Sequence, residues 1–455
     1  MHFDDQAELR ARGCLMRITY GAFPRGTLVV GWLASCALVC PFLAPRAHAA
    51  VTPIHVRQFR SSDAAGGDEF GRAVALDQQI GLVGAPGRDD ASSNGGGAYL
   101  FDVFTGQQLR KLTATGLQAD DYFGISVDLD GPYAVVGAIG DDTTGRSNGA
   151  AYIFDVATGQ QLHKLTPSDL ELGAEFGVSV AVDDGIVLVG AHMDGSGSAY
   201  LFDAATGVEL GKLRSSDAAP DDLFGVAVAI DAGKALIGAR YDDDGAIAAG
   251  AAYLFDVATQ SQVHKLTAHD PARGDRFGMH LDLQGNRAVV GSRYDDDAVK
   301  SSGSAYVYDV ATGEQLFKLV PGDTTRNDQF GSAVSIHNEY VVIGAVDDDH
   351  NGVYAGSAYL FNVNTGAELF KFNAPDAMPF DRMGMSVAID GQYVAIGASM
   401  LDFVGAPELA SGKVYTYVVP FLIPEPSGIA MWGTAVLPWL RLRRRSPSIL
   451  ATQRV

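Results

Sequence analysis

Apolar residues along this chain come in short runs separated by turn-forming residues, and the spacing of the runs repeats. Between Phe123 and Leu165 there are four: Ile125 to Leu129, Tyr133 to Ala138, Ala150 to Phe154 and Gln161 to Leu165. Asp130-Gly131-Pro132 separates the first two and Thr158-Gly159 the last two, while a longer polar loop carrying Asp141 and Asp142 joins the second to the third. Short runs rich in Val, Ile, Tyr and Phe, bounded by Gly, Asp and Thr, are strand signals. The stretch therefore predicts a four-stranded antiparallel meander.

A Phe-Gly pair opens each such stretch, at Phe70, Phe123, Phe176, Phe224, Phe277 and Phe330, with Met383-Gly384 as a variant. The steps are 53 residues except for one of 48. Seven copies at so even a period predict one repeat body rather than a string of independent domains. The second run of each copy is almost wholly apolar (IGLVGA, YAVVGA, IVLVGA, KALIGA, RAVVGS, YVVIGA, YVAIGA), which predicts burial on both faces between neighbouring sheets. The phenylalanine of each Phe-Gly is expected to act as a wedge between those sheets.

The two ends of the repeat body complement each other. Ile54 to Phe59, followed by Arg60-Ser61-Ser62-Asp63, matches Glu209 to Leu213 followed by Arg214-Ser215-Ser216-Asp217: a fourth strand with no first three before it. The seventh copy has Met385 to Asp390, Gln392 to Ala398 and Lys413 to Val419, then stops at Pro420 without a fourth strand. The predicted fold is thus all-β, a seven-bladed β-propeller of four-stranded antiparallel blades over residues 50–420, with the N-terminal strand closing the last blade. Closure of this kind hides a sheet edge that would otherwise invite aggregation.

Phe-Gly, roughly a dozen residues and then Gly-Ala-Pro, as in Phe70-Gly71 to Gly84-Ala85-Pro86, resembles the FG-GAP repeat of integrin α-subunit propellers in a shorter bacterial form. The resemblance covers residues 54–419, although only the first copy keeps the proline. It implies a role in adhesion or matrix organisation. It also implies a calcium loop, Asp-x-Asp-x-Asp-Gly, between the first and second strands. Here that turn is too short (Asp130-Gly131, Asp184-Gly185, Gly285-Asn286, Asp390-Gly391), and only Asp128-x-Asp130-Gly131 keeps part of the pattern, so the inherited site is expected to be lost.

Composition adds charge and address. All three cysteines (Cys14, Cys36, Cys40) and all three tryptophans (Trp32, Trp432, Trp439) lie outside the repeats, so disulfides play no part in the body. The net charge is −21, and between residues 50 and 423 only 23 basic residues face 50 acidic ones. Such a body should stay soluble and repel nucleic acid. Residues 1–49 read as a signal peptide: Arg17 and Arg25, an apolar stretch from Thr27 to Leu43, and Ala47-His48-Ala49 as a cleavage site. Asp4, Asp5 and Glu8 are unusual in a signal, which leaves Met16 as an alternative start, and Leu33-Ala34-Ser35-Cys36 is a competing lipoprotein pattern. Residues 421–455 carry Pro424-Glu425-Pro426, an apolar stretch from Gly428 to Leu440, and Arg441, Arg443, Arg444 and Arg445. This segment is similar to the PEP-CTERM sorting signal of Gram-negative bacteria. The similarity implies recognition by an exosortase-type enzyme, transient inner-membrane anchoring, and a final place at the cell envelope or outside the cell. Thirteen apolar residues are short of the roughly 20 that span a bilayer comfortably.

In a four-stranded meander, the loops between second and third strands emerge at the same end as the connectors from one unit to the next. By this count 33 of the body's 50 acids gather on one face. Alternate residues of an extended loop point the same way, so Asp242 with Asp244, Asp295 with Asp297, and Asp347 with Asp349 are candidate calcium ligands. The plainer alternative is a solvated acidic rim. No nucleophile elbow, zinc motif or phosphate loop occurs, and the histidines show no metal spacing. The leading expectation is a non-enzymatic, monomeric propeller that binds a protein or polysaccharide through its acidic loop face, with no catalytic residue and no certain cofactor. Two other classes stay open: an enzyme with its site at the mouth of the central channel, and a purely structural envelope component.

Overall fold

A computed structural model describes residues 53–89, 92–145, 147–399 and 411–420. The residues read above as signal, sorting and anchor segments, among them Cys36, Pro424, Glu425, Pro426 and the four arginines, lie outside the described residues, as do Asp402 and Glu408 of the seventh loop. Every named element among the described residues is a strand, 28 in all, arranged as seven four-stranded antiparallel sheets.

The second sheet shows how sequence sets the blade. Its strands are β6 (Val127–Asp130), β7 (Tyr133–Ala138), β8 (Ala150–Asp155) and β9 (Gln161–Leu165), paired in chain order. β7 and β8 are buried along nearly their whole length and β9 is half-exposed, which places the apolar runs in the middle of the sheet and the mixed run at its outer edge. The first strand starts two residues later than the apolar pattern suggests, and Phe123-Gly124 ahead of it is engaged with the preceding sheet.

That engagement joins the blades. Phe123 forms a parallel bridge to Gly96 of the preceding sheet, and the same bridge recurs from Gly149 to Phe176 and onward to Met383. Phe123 packs with Ala98, Leu100 and Leu112 of one blade and Tyr152 and Phe154 of the next, the wedge expected of it. The glycine before the closing alanine of each second strand is required by this contact. A Cβ on Gly84 would lie 1.9 Å from the carbonyl oxygen of Gly124.

Closure follows the predicted route. β1 (Ile54–Phe59) pairs antiparallel with β28 (Lys413–Val418), which continues through β27 (Tyr393–Ala398) to β26 (Met383–Asp390). Ile54 lies opposite Val418 and Phe59 opposite Val414. The inter-blade contact is made here too: Phe70 bridges to Gly412, and Phe59 stacks on Phe101 at 4.4 Å. First and last copies are thereby joined through one core containing Phe59, Phe70, Tyr99, Ala395 and Val414.

Candidate functional site

First strands line a central channel of about 320 Å³, and the remaining chain presents two unlike ends. At one end the first strands finish in Asp77, Asp130, Asp183, Asp231, Gln284, His337 and Asp390. Most of these side chains accept a hydrogen bond from the next blade's turn: Asp77 from the Gly131 N–H at 3.0 Å, Asp130 from Asp184 at 3.0 Å, and Asp390 from Gln78 at 2.6 Å, across the point of closure. Asp130 thus serves as a clamp between blades. Asp128 lines the channel with Asp282 and accepts from the Val182 N–H at 2.8 Å. The remnant of the calcium pattern has therefore been turned to backbone hydrogen bonding. Burial, with each carboxylate's acidic neighbours adding to it, pushes both Asp128 and Asp282 up to about 7.

At the other end, loops and connectors do come together. Lys212 from the end of a fourth strand reaches Asp169 of a connector at 2.9 Å and Asp194 of a loop at 2.8 Å. Counting charges in the sequence misses one property of this face: among the described residues eleven of its aspartates are buried, including Asp121, Asp141, Asp222, Asp242, Asp295 and Asp348. A buried carboxylate needs donors and a counter-charge. For the loop aspartates Asp141, Asp194, Asp242, Asp295 and Asp348 both come from repeat positions, the tyrosine of the third strand and the lysine of the fourth. Connector aspartates such as Asp121 and Asp222 accept from backbone N–H groups. Tyr253 donates to Asp242 at 2.6 Å, and the Lys265 ammonium lies 2.8 Å from Asp242, 2.7 Å from Asp217 and 2.5 Å from Asp244. Tyr306 and Lys318 do the same for Asp295, with Lys318 also 2.8 Å from Asp270 and 2.7 Å from Asp297. In the first blade Arg88 stands at the loop position and pairs with Asp68 at 2.6 Å, so this environment holds either sign when the partner balances it.

The three candidate calcium pairs have different outcomes. Asp242 with Asp244 and Asp295 with Asp297 do converge, each joined by a connector aspartate, Asp217 or Asp270, that the loop sequence alone does not reveal. Asp347 and Asp349 do not converge. Asp347 faces Arg382 at 3.3 Å, Asp349 accepts from the Tyr354 N–H at 2.7 Å, and Asp348 takes the equivalent place beside Lys371 at 2.7 Å. Nor do the first two clusters suit calcium as they stand, because a lysine ammonium already occupies their centre. Burial works against the charge of Lys265, but hydrogen bonds to Asp217, Asp242 and Asp244 outweigh it and raise its pKa. Neither calcium nor a chelator should shift the melting temperature of the parent protein. Lys265→Ala leaves a buried carboxylate without its cation; it should cost roughly 1–3 kcal/mol and make the melting temperature rise with calcium. A calcium shift of several degrees in the parent would contradict the lysine's role.

A second group on this face lies inward, around the channel mouth. Immediately after the second strands stand His192, Arg240 and Arg293, and just before the Phe-Gly glycine and phenylalanine positions stand Glu69, Tyr122, Glu175, Arg276, Gln329 and Arg382. The signal was present in the copies laid side by side: the position after Gly-Ala or Gly-Ser reads Pro86, Ile139, His192, Arg240, Arg293, Val346, Ser399.

These features define a closed seven-bladed propeller with one loop face rich in charge. The chain belongs to the FG-GAP repeat family, whose repeat matches residues 55–101, 107–154, 160–202, 208–255, 260–308, 314–361 and 367–417. The first match begins in β1, so the family's unit starts on an outer strand and ends on the third strand of the following blade. No curated protein sequence matches the chain.

Proposed function

We propose that this protein is an exported, non-enzymatic binding propeller that engages a protein or polysaccharide partner with its loop face, in adhesion or matrix organisation at the cell envelope. One observation carries the reading. The strands of the blades are near copies, while the loop face adds exposed carboxylates beyond those its lysines neutralise, including Asp142, Glu171, Asp221, Asp243, Asp296 and Asp349. A rigid ring that presents variable loops on one side is suited to recognition. Export is supported by the apolar stretch and Ala47-His48-Ala49 ahead of the body, and envelope sorting by Pro424-Glu425-Pro426 and the arginines after it.

The test is retention of the purified protein on extracellular matrix from the producing cells. Glu171→Lys with Asp221→Lys, both exposed on the loop face, should weaken retention about tenfold or more. Glu314→Lys, exposed at a turn of the opposite end, should leave it unchanged. Equal retention of the parent and both variants would reject the loop face as the binding surface.

A further inference from the structure

The centre of the loop face is cationic, although the protein as a whole is strongly acidic. Five arginines (Arg72, Arg240, Arg276, Arg293, Arg382) stand around the channel mouth among the described residues, against Glu69, Glu175 and Asp347. Three of them and two tyrosines form a connected array. The Arg276 guanidinium lies between two rings, 5.2 Å from Tyr241 and 4.6 Å from Tyr294; Arg240 sits 5.1 Å from Tyr241 and Arg293 4.8 Å from Tyr294. Arg72 belongs to the first blade, nearly opposite in the ring; burial lowers its pKa most, Glu69 works against that, and the charge of Arg293 lowers it further. Like charges gathered in this way are costly unless something balances them.

Hydrogen bonding at the mouth is incomplete as well. The buried Nε atoms of Arg240 and Arg293, Nδ1 of His192 and Nε2 of His280 have no partner among the described residues. His192 itself is only 7% exposed, with Nε2 3.4 Å from Glu175. Burial first, and then the neighbouring arginines, lower His192 to about 4 and His280 to about 3, so both rings are neutral at physiological pH. Two acceptors at the mouth, Gln329 Oε1 and Asp347 Oδ1, also lack a hydrogen bond, but Asp347 stands beside Arg382 and both leave the Nε atoms of Arg240 and Arg293 unpartnered. Nε atoms of arginine can only donate, so what Arg240 and Arg293 lack is an acceptor, and one carrying negative charge would also relieve the arginines.

We propose that this mouth binds a single oxyanion group, the carboxylate of a sugar acid, with Arg240 and Arg293 as its principal donors and Arg72 closing from the opposite side. The planar forks of arginine match a carboxylate in two-point contact. The surrounding exposed carboxylates repel a densely charged polyanion, which selects for a ligand with an isolated charge. The inference rests on the loop face being the binding surface, and it adds the chemistry that would be recognised there.

Isothermal titration of the purified protein at low ionic strength with sodium D-glucuronate, sodium sulfate and D-glucose tests it without any partner. Glucuronate should bind saturably with one site per chain and glucose should not. Arg240→Gln with Arg293→Gln should weaken glucuronate at least tenfold, and Arg72→Gln alone should weaken it severalfold, so that a misfolded double variant does not leave the question open. Absence of saturable glucuronate binding, or equal affinity in the folded variants, would overturn the site. Sulfate bound as tightly as glucuronate would overturn the sugar-acid assignment. If glucuronate binding requires the arginines while matrix retention ignores the loop-face lysine substitutions, the anion site stands and the proposed binding surface fails.

Discussion

Phe277→Ala should destabilise the protein by about 3–5 kcal/mol, among the largest single-residue effects available in this fold. Phe277 is 1% exposed and meets Tyr306 and Tyr308 edge-on, with ring centroids at 5.5 Å and 5.9 Å. It shares a core with Ala252, Leu254 and Leu266 of the preceding blade, so truncation opens a cavity at a blade-to-blade boundary. The backbone bridge between Gly250 and Phe277 holds the walls apart and limits their collapse into the space. Met383 fills the same place in the seventh blade at 0% exposure, which shows that the site accepts an unbranched side chain of similar volume. Phe277→Met should therefore cost only about 1 kcal/mol, largely the lost aromatic contact. Chemical denaturation read by tyrosine fluorescence separates the two variants. Parent-like stability of Phe277→Ala would reject the wedge.

Removing Ile54 to Phe59 should do more than any point substitution. The deletion strips β28 of its outer partner, leaving only β27 beside it, discards the stack of Phe59 on Phe101, and opens the core shared by the first and last blades. Lost backbone hydrogen bonds at about 1 kcal/mol each, together with about 2–3 kcal/mol for Phe59, put the cost at roughly 5 kcal/mol or more. The bared edge of β28 offers unpaired N–H and C=O groups to other chains. Light scattering after size-exclusion chromatography should show a lower melting temperature and loss of the monomer. A stable, monomeric deletion variant would mean that the ring does not depend on β1.

Some of this architecture could be read directly from the sequence because one physical requirement acts at each repeat. Second strands are buried on both faces, so their apolar runs are unbroken, and Tyr133 to Ala138 and Gln161 to Leu165 coincide with β7 and β9. The surplus strand at one end and the missing strand at the other identify the closure without coordinates. First strands were less legible: β6 begins at Val127 and not at Ile125, whereas β26 begins at Met383 itself, although the Phe-Gly position bridges to the neighbouring sheet in both blades. Charge was the least legible. Asp242 and Asp295 look like solvent-facing loop carboxylates in the sequence, yet each is buried beneath a tyrosine and a lysine from later strands. Lys265 and Lys318 recur 53 residues apart, and that regularity was the available sign of an internal counter-ion. Arg240 and Arg293 needed a comparison of the copies position by position, because what marks them is being charged where other blades have Ile139 or Val346.

Ring closure is the premise on which the loop face and the channel mouth both depend, and native-state hydrogen exchange of the β1 amides tests it most directly. If β1 completes the last blade, the amides of Ile54 to Phe59 that face β28 should be protected to the same degree as outer strands such as β9. Exchange of all six at the rate of an unstructured peptide would contradict the closed ring.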